Sequence, residues 1–262
     1  MRETLIPKEA LAWLKAKKLR PGFDYRDVWR EEHRNSFTVA KMLQLDLLSD
    51  VKALVEDALQ SGQTFSEFRE VLQPLLIKRG WWGVQEMDDP LTGETRTVQL
   101  GSDRRLRTIF DTNMRTARAA GQWERIQRTK RAMPYLIYEL GPSREHRAEH
   151  VKWARLCLPV DHPFWLTHFA PNGWGCKCTI RQVSRGEYAQ LAAQGTIHTE
   201  APEIRTVRWV NKRTGEEEDV PEGIDPGWNY NPGINREQEL ARQLATKQAR
   251  FDSEHPSRRK SP

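Results

Sequence analysis

Long apolar runs are missing from this chain. No stretch of its 262 residues approaches the ~20 apolar residues that a membrane span needs. The first residues, 1–22, contain neither an apolar signal core nor a small-residue cleavage site, which reads as a chain made and kept in a cytoplasm-like, reducing place. Cysteine is scarce. Three residues is an odd count and argues against a disulfide framework as the basis of the fold. Apolar residues reach only 37% against 30% charged, a balance that suits long helices and extended arms better than one tight globule. Length alone would still allow a sizeable core. The formal net charge of +6 permits contact with DNA or acidic partners, and equally describes a solvated surface.

What is abundant is tryptophan, with ten residues. Several lie beside glycine, in Trp81-Trp82-Gly83, Gly173-Trp174-Gly175 and Gly227-Trp228. A tryptophan on a flexible backbone either plugs a loop onto a core or anchors an interface.

The order of elements points to an α+β fold. The stretch from Pro7 to Leu19 reads as a helix stopped by Pro21-Gly22. Phe37, Ala40, Leu43 and Leu47, then Leu54, Val55 and Leu59, recur at helical spacing, with Ser49-Asp50 as a cap dividing two segments. Thr64 and Glu67 form a capping-box pattern before a helix that Pro74 should bend or break and Gly80 should stop. A hairpin turning near Thr92-Gly93 follows. Ser102 or Asp103 then caps a long helix with Leu106, Ile109, Phe110, Met114 and Ala117 on its apolar stripe and arginine on the opposite face. A core strand within 133–143, a short helix within 144–159, a short helix after Ser184 and a hairpin turning at Thr214-Gly215 complete the order. The resulting division is a helical N-terminal region (1–80), a β-hairpin (81–101), a small mixed core (102–200), a hairpin and extended Pro/Gly-rich arm (201–235) and a basic tail (236–262).

The chemistry-bearing stretch runs from Asp161 to Cys178 and holds two of the three cysteines in a Cys-x-Cys pair. Thiolates one residue apart can reach one ion, but structural zinc wants four nitrogen or sulfur ligands. His146, His150, His162 and His168 are the nearest nitrogens in sequence, and their spacing matches no zinc finger. The alternative is that Cys176 and Cys178 are small buried side chains beside a turn that Trp174 plugs. An enzymatic reading would use His150 or His162 as a base oriented by Asp161, but no acidic metal cluster or nucleophile motif accompanies it.

The same residues carry a resemblance. Arg147, Glu149 and His150, then Leu158-Pro159 and Asp161, then Pro163-Phe164-Trp165, and finally Pro171-Asn172-Gly173-Trp174 with Cys176 and Cys178, resemble the signature of the phage Mu F-like head morphogenesis family, the minor head proteins of tailed phages. Gly80 to Gly83, the Asp89 to Glu94 hairpin and the Asp225 to Gly233 arm agree with it. Ala170, Lys177 and Arg155 depart, standing where the family has proline, arginine and glycine, and Cys157 falls outside the pattern.

The resemblance implies a structural, non-enzymatic role with no catalytic residues. It implies a low-copy head protein near the portal vertex, in the host cytoplasm during assembly and then in the virion. Its partners would be the portal protein, the major capsid protein and, further, scaffold and double-stranded DNA, with no membrane. The alternatives are a virion-carried metal-dependent nuclease or toxin-like enzyme, and a DNA-binding packaging factor. Residues 1–80 are expected to carry attachment, and Arg258, Arg259 and Lys260 to sit against DNA phosphates. His150, Cys176 and Cys178 are expected to converge, with Arg147, Glu149, Asp161, Trp165, Asn172, Gly173 and Trp174 as structural residues of the motif. Zinc at the three is one version, with His146, His168 or Asp161 as fourth ligand. The favoured version is metal-free, with Trp165 and Trp174 packed over the cysteines and His150 bonded to a loop carbonyl or Asp161.

Overall fold

The computed structural model describes residues 8–28 and 32–234, together with Leu244 and Phe251. The expected contacts of Arg258, Arg259 and Lys260 lie outside the described residues. Helix α1 (Lys8–Ala16) leads into β1 (Lys18–Leu19), a single 3-10 turn (Tyr25–Asp27), α2 (Glu32–Asn35) and β2 (Ser36–Phe37), which pairs in parallel with β1. Helices α3 (Leu45–Ser61) and α4 (Phe65–Lys78) follow, then the antiparallel hairpin β3 (Val84–Asp88) and β4 (Thr95–Gln99). Helix α5 (Asp103–Thr129) is the longest, about 40 Å at the α-helical rise. Beyond it come β5 (Tyr135–Glu139), α6 (Ala148–Trp153), β6 (Cys157–Pro159), β7 (Thr179–Val183), α7 (Arg185–Ala193) and the hairpin β8 (Thr206–Val210) and β9 (Glu217–Pro221). Strands β6, β5 and β7 form one antiparallel sheet with β5 in the centre. The fold is α+β.

Two apolar cores share α5. Leu106, Ile109, Met114 and Ala117 face the first, where α1, α3 and α4 supply Leu14, Leu48, Val55, Phe68 and Leu72. Ala119, Trp123 and Ile126 face the second, beneath the three-stranded sheet, with Trp153, Phe164, Trp165 and Phe169. Helix α1 crosses α5 closely. A Cβ at Gly121 would lie 2.6 Å from the backbone nitrogen of Ala10, so only glycine allows the approach.

The local signals act as their chemistry dictates. Thr64 accepts from the Glu67 amide while the Glu67 carboxylate accepts from the Thr64 amide, a complete capping box on α4. Ser102 caps α5 and Ser184 caps α7 through the serine side chain alone. Three expectations are corrected. The helical spacing from Phe37 to Leu43 forms no helix; Phe37 lies in β2, and Lys41 is left-handed with φ 70°. Ser49 and Asp50 cap nothing. They lie inside α3, whose stripe of Leu47, Leu48, Val51 and Val55 is buried without interruption. Pro74 does not break α4, because it sits on the exposed face between the buried Leu72 and Leu76, which hold both sides of it to the core.

A further feature was not legible in sequence. Arg213, at the tip of the β8–β9 hairpin, donates to Asp27 at 2.8 Å and to the fully buried carboxylate of Asp89 in the β3–β4 turn. Both hairpins and the 3-10 turn are thereby locked together by one guanidinium. That partner holds the Asp89 carboxyl below its ordinary range and raises Arg213 above its own.

Lys17 gives a pH-dependent expectation. Its side chain is 8% exposed, with the ammonium 4.1 Å from the centroid of the Trp13 ring. Burial, helped by the charge of Lys52, pushes its pKa down from 10.5 to about 7. Between those values the unfolded chain holds a proton that the folded chain releases, so stability should rise as pH increases from about 7 to about 10 and fall as pH drops through that window. Lys17→Met should abolish this rise and gain about 1–3 kcal/mol at pH 7. Denaturant unfolding of both proteins across the range measures it, and parallel pH profiles would refute it.

Candidate functional site

The stretch from Asn172 to Cys178 closes over the second core, between α6 and the arm that follows β9. Its frame is built from interlocking backbone contacts. Arg147, at the N-cap of α6, pairs with Asp225 of the arm at 2.8 Å. Its other nitrogen donates to the Asn172 carbonyl at 3.4 Å, and the paired one also reaches the Trp174 carbonyl at 3.3 Å. The Asp225 carboxylate accepts from the Trp174 amide at 2.7 Å, and the Asp225 amide donates to the Asn172 carbonyl at 3.0 Å. Gly173 sits inside this clamp. A Cβ there would lie 2.3 Å from Arg147 Nη1 and 2.4 Å from Asp225 Oδ2. Gly173 is therefore a close-approach residue.

Under the clamp the structure brings His150, Cys176 and Cys178 together, with ligand-capable atoms all within 4.8 Å of one another. His150 comes from α6, and Cys176 and Cys178 from the end of the loop that enters β7. The imidazole Nδ1 lies 3.5 Å from the Cys178 sulfur and 3.9 Å from the Cys176 sulfur. Its Nε2 lies 2.9 Å from the Gly223 carbonyl. Trp153 stacks on the imidazole with ring centroids 4.9 Å apart. From α5, Arg115 donates to the Cys176 carbonyl at 2.7 Å. The fully buried Asn172 accepts from the Tyr138 hydroxyl at 3.0 Å, and its Nδ2 has no hydrogen-bond partner.

The two thiols share one environment with opposite results. The hydrogen bond from Cys176, aided by the Gly141 amide, drives Cys178 below the ordinary thiol range. The same bond, with burial, drives Cys176 up. Burial, and then the two sulfurs, raise the Tyr138 phenol.

The remaining expected residues lie elsewhere. His146 is exposed. His162 accepts from the Phe164 amide at 3.1 Å and caps the 3-10 turn at Pro163–Leu166. His168 bonds the Thr167 hydroxyl at 2.7 Å and is held neutral by burial, its pKa lowered to about 4. Asp161 is a surface residue paired with Lys130 at 2.8 Å, so neither His150 nor His162 has it as an orienter. Glu149 pairs with Lys152 on α6. Cys157 is buried in β6, outside the cluster, its thiol pushed up to about 11 by burial.

The expected plug is corrected. Trp174 is 40% exposed and does not cover the cysteines; it packs edge-on to Trp228 at 5.1 Å and Tyr25 at 5.8 Å. Trp165 is fully buried in the second core, where its indole donates to the Pro159 carbonyl at 3.0 Å. The ring over the site is Trp153, because stacking on His150 only requires a position three residues along α6.

Two more sequence features find their explanation here. Arg155, standing where the resemblance has glycine, adopts φ 65°, the left-handed region that glycine favours. Several arginines of α5, most of them exposed, make contacts within the chain. Arg105 donates to the Gln99 and Ala40 carbonyls and lies 4.8 Å from the Trp81 ring, Arg107 lies over Phe65, and Arg125 and Arg128 pair with Glu9 of α1. Tyr138, Gly223 and Asp225 take part in this geometry, and nothing local in the sequence marks them individually. The tyrosine's place in an alternating strand carried no mark of a polar role.

Against known proteins, the family model described as phage Mu protein F like protein matches residues 49–181. The chain is 34% identical over 254 residues to the putative capsid assembly protein F of Escherichia phage Mu, covering 92% of this chain and 58% of that protein. It is 32% identical over 222 residues to the Mu-like prophage FluMu F protein of Haemophilus influenzae, covering 78% of this chain and 52% of that one. The chain therefore spans a little over half the length of these relatives. No solved structure matches it.

Proposed function

The chain belongs to the phage Mu protein F like family, and from that premise we propose that it is a structural component of a tailed-phage head, joining the head during assembly at the junction of portal and shell. The relative in phage Mu is named a putative capsid assembly protein, which supports head morphogenesis as the setting. The observation that carries the structural role is how the signature residues are used. Arg147, Asn172, Gly173 and Asp225 grip one another's backbone and carboxylate atoms rather than converging on a cleft with free functional groups.

The partners in this reading are the portal protein and the major capsid protein, with scaffold and double-stranded DNA as further contacts, in low copy number. The location is the portal vertex of the virion, reached from the host cytoplasm. Among the described residues no helix is long and apolar enough to cross a membrane. Attachment through residues 1–80 fits the separate apolar core that α1, α3 and α4 build with the first half of α5.

The test is quantitative mass spectrometry of purified heads from phage carrying a tagged chain. A small fixed number of copies per portal, lost with residues 1–80 deleted, is the expected result. Absence from heads would overturn the proposal. So would cleavage of plasmid DNA by the purified protein with divalent metal if it disappeared in His150→Ala.

A further inference from the structure

Of the metal-free version, the contact of His150 with a loop carbonyl is present and the cover by Trp165 and Trp174 is not. We propose that His150, Cys176 and Cys178 bind one thiophilic divalent cation, zinc by ligand chemistry, with the fourth position left to a solvent molecule. The inference is independent of where in the head the protein sits.

Spacing is the first argument. Tetrahedral zinc holds thiolate sulfur at ~2.3 Å and imidazole nitrogen at ~2.0–2.1 Å, which places sulfur and nitrogen ~3.6 Å apart across the ion. The observed separations are 3.5 Å and 3.9 Å. One nitrogen facing two sulfurs at these distances matches that spacing. A single N–H or S–H can serve only one of those contacts at a time.

The imidazole tautomer is the second argument. The Gly223 carbonyl can only accept, so Nε2, 2.9 Å away, carries the proton. Nδ1 is then a lone pair aimed at the sulfurs, and the carbonyl is the outer partner that metal-bound histidines usually have. The sulfurs have outer partners as well. The backbone amides of Asn172 and Cys178 point at Cys176, and that of Gly141 at Cys178. Amide donors of this kind stabilise thiolate ligands without competing for the metal.

The fourth position follows by inspection. Asp161 is paired with Lys130 at the surface, His168 is bonded to Thr167, and His146 is exposed. Among the described residues the cluster has three ligand groups. His150 is 3% exposed and Cys176 8%, so the centre is closed enough to act structurally. Such an ion would tie α6 to the loop that presents Trp174, and, through Gly223, both to the arm.

The experiment uses the full chain purified under reducing conditions. Elemental analysis should give about one equivalent of zinc, falling below about a tenth in Cys176→Ser, Cys178→Ser and His150→Ala but unchanged in Cys157→Ser. Because a variant can lose metal by failing to fold, the wild-type chain is also stripped with chelator and titrated with Co2+. The absorption of tetrahedral thiolate-bound cobalt should appear and saturate at one equivalent. A stripped chain that binds neither Co2+ nor Zn2+ while circular dichroism shows it folded would overturn the proposal. A purified chain lighter by two hydrogens, with Cys176 and Cys178 joined as a disulfide that reforms after reduction and excludes metal, would overturn it too.

Discussion

Replacing Trp165 with alanine should lower the unfolding free energy by about 4 kcal/mol and lose the second core before the first. The indole is fully buried in the second core, edge-on to Phe164 with ring centroids 5.1 Å apart. It also donates to the Pro159 carbonyl at 3.0 Å, and the Trp165 carbonyl accepts from Asn231 of the arm at 3.0 Å. Alanine removes the ring and one of two donors to the Pro159 carbonyl, which keeps the His162 amide at 3.0 Å, while the bond from the Asn231 side chain is weakened by collapse around the void. Trp165→Phe should cost less, about 2 kcal/mol, because the ring volume is largely kept. Equilibrium denaturation followed by the remaining tryptophans measures both. A cost under about 1 kcal/mol for alanine would show that the second core does not depend on this residue.

Gly141→Ala should be comparably damaging for a different reason. A Cβ at this position would lie 1.8 Å from the Lys177 carbonyl oxygen and 2.3 Å from its carbon. Both are backbone atoms, so no rotamer relieves the clash. Either the strand end after β5 or the Cys-x-Cys segment must move, at a cost of at least about 3 kcal/mol. Because Lys177 lies between the two cysteines, the displacement should also disperse the His150 cluster. The proper control is Gly186→Ala in α7, where an added Cβ meets nothing within 4 Å and the change should be neutral or stabilising by up to about 1 kcal/mol. Thermal melts of the two variants beside the wild type decide it. Equal melting points for Gly141→Ala and wild type would refute the close approach.

Several elements could be read before any coordinates because their signals are local. The Thr64–Glu67 box and the Ser102 and Ser184 caps each act within four residues, so short-range hydrogen bonding decides them. The β8–β9 hairpin turning at Thr214-Gly215 is of the same kind, with Gly215 at φ 76°. The misreadings occur where tertiary burial overrules local preference. Pro74 remains helical because Leu72 and Leu76 are buried on either side of it, and Phe37 to Leu43 leave the helix because that segment pairs with β1 and wraps the first core. Trp174 was read as a plug from its glycine neighbours, but whether an indole points inward depends on what lies beneath it. Here that place is held by Trp153 and Cys176.

The sequence by itself determined the class of fold, the capped helices, the hairpins and, through a long mixed motif, the family. These follow from periodicity, from capping chemistry and from residue identities along one strand of text. Only the tertiary structure decided which atoms meet. It set the two cores divided along α5, the Arg213 lock between hairpins, the Arg147–Asp225 clamp and the orientation of His150 between Gly223 and the two sulfurs. Each joins residues tens of positions apart. Their proximity is fixed by how helices and sheet pack against one another, which no local spacing encodes.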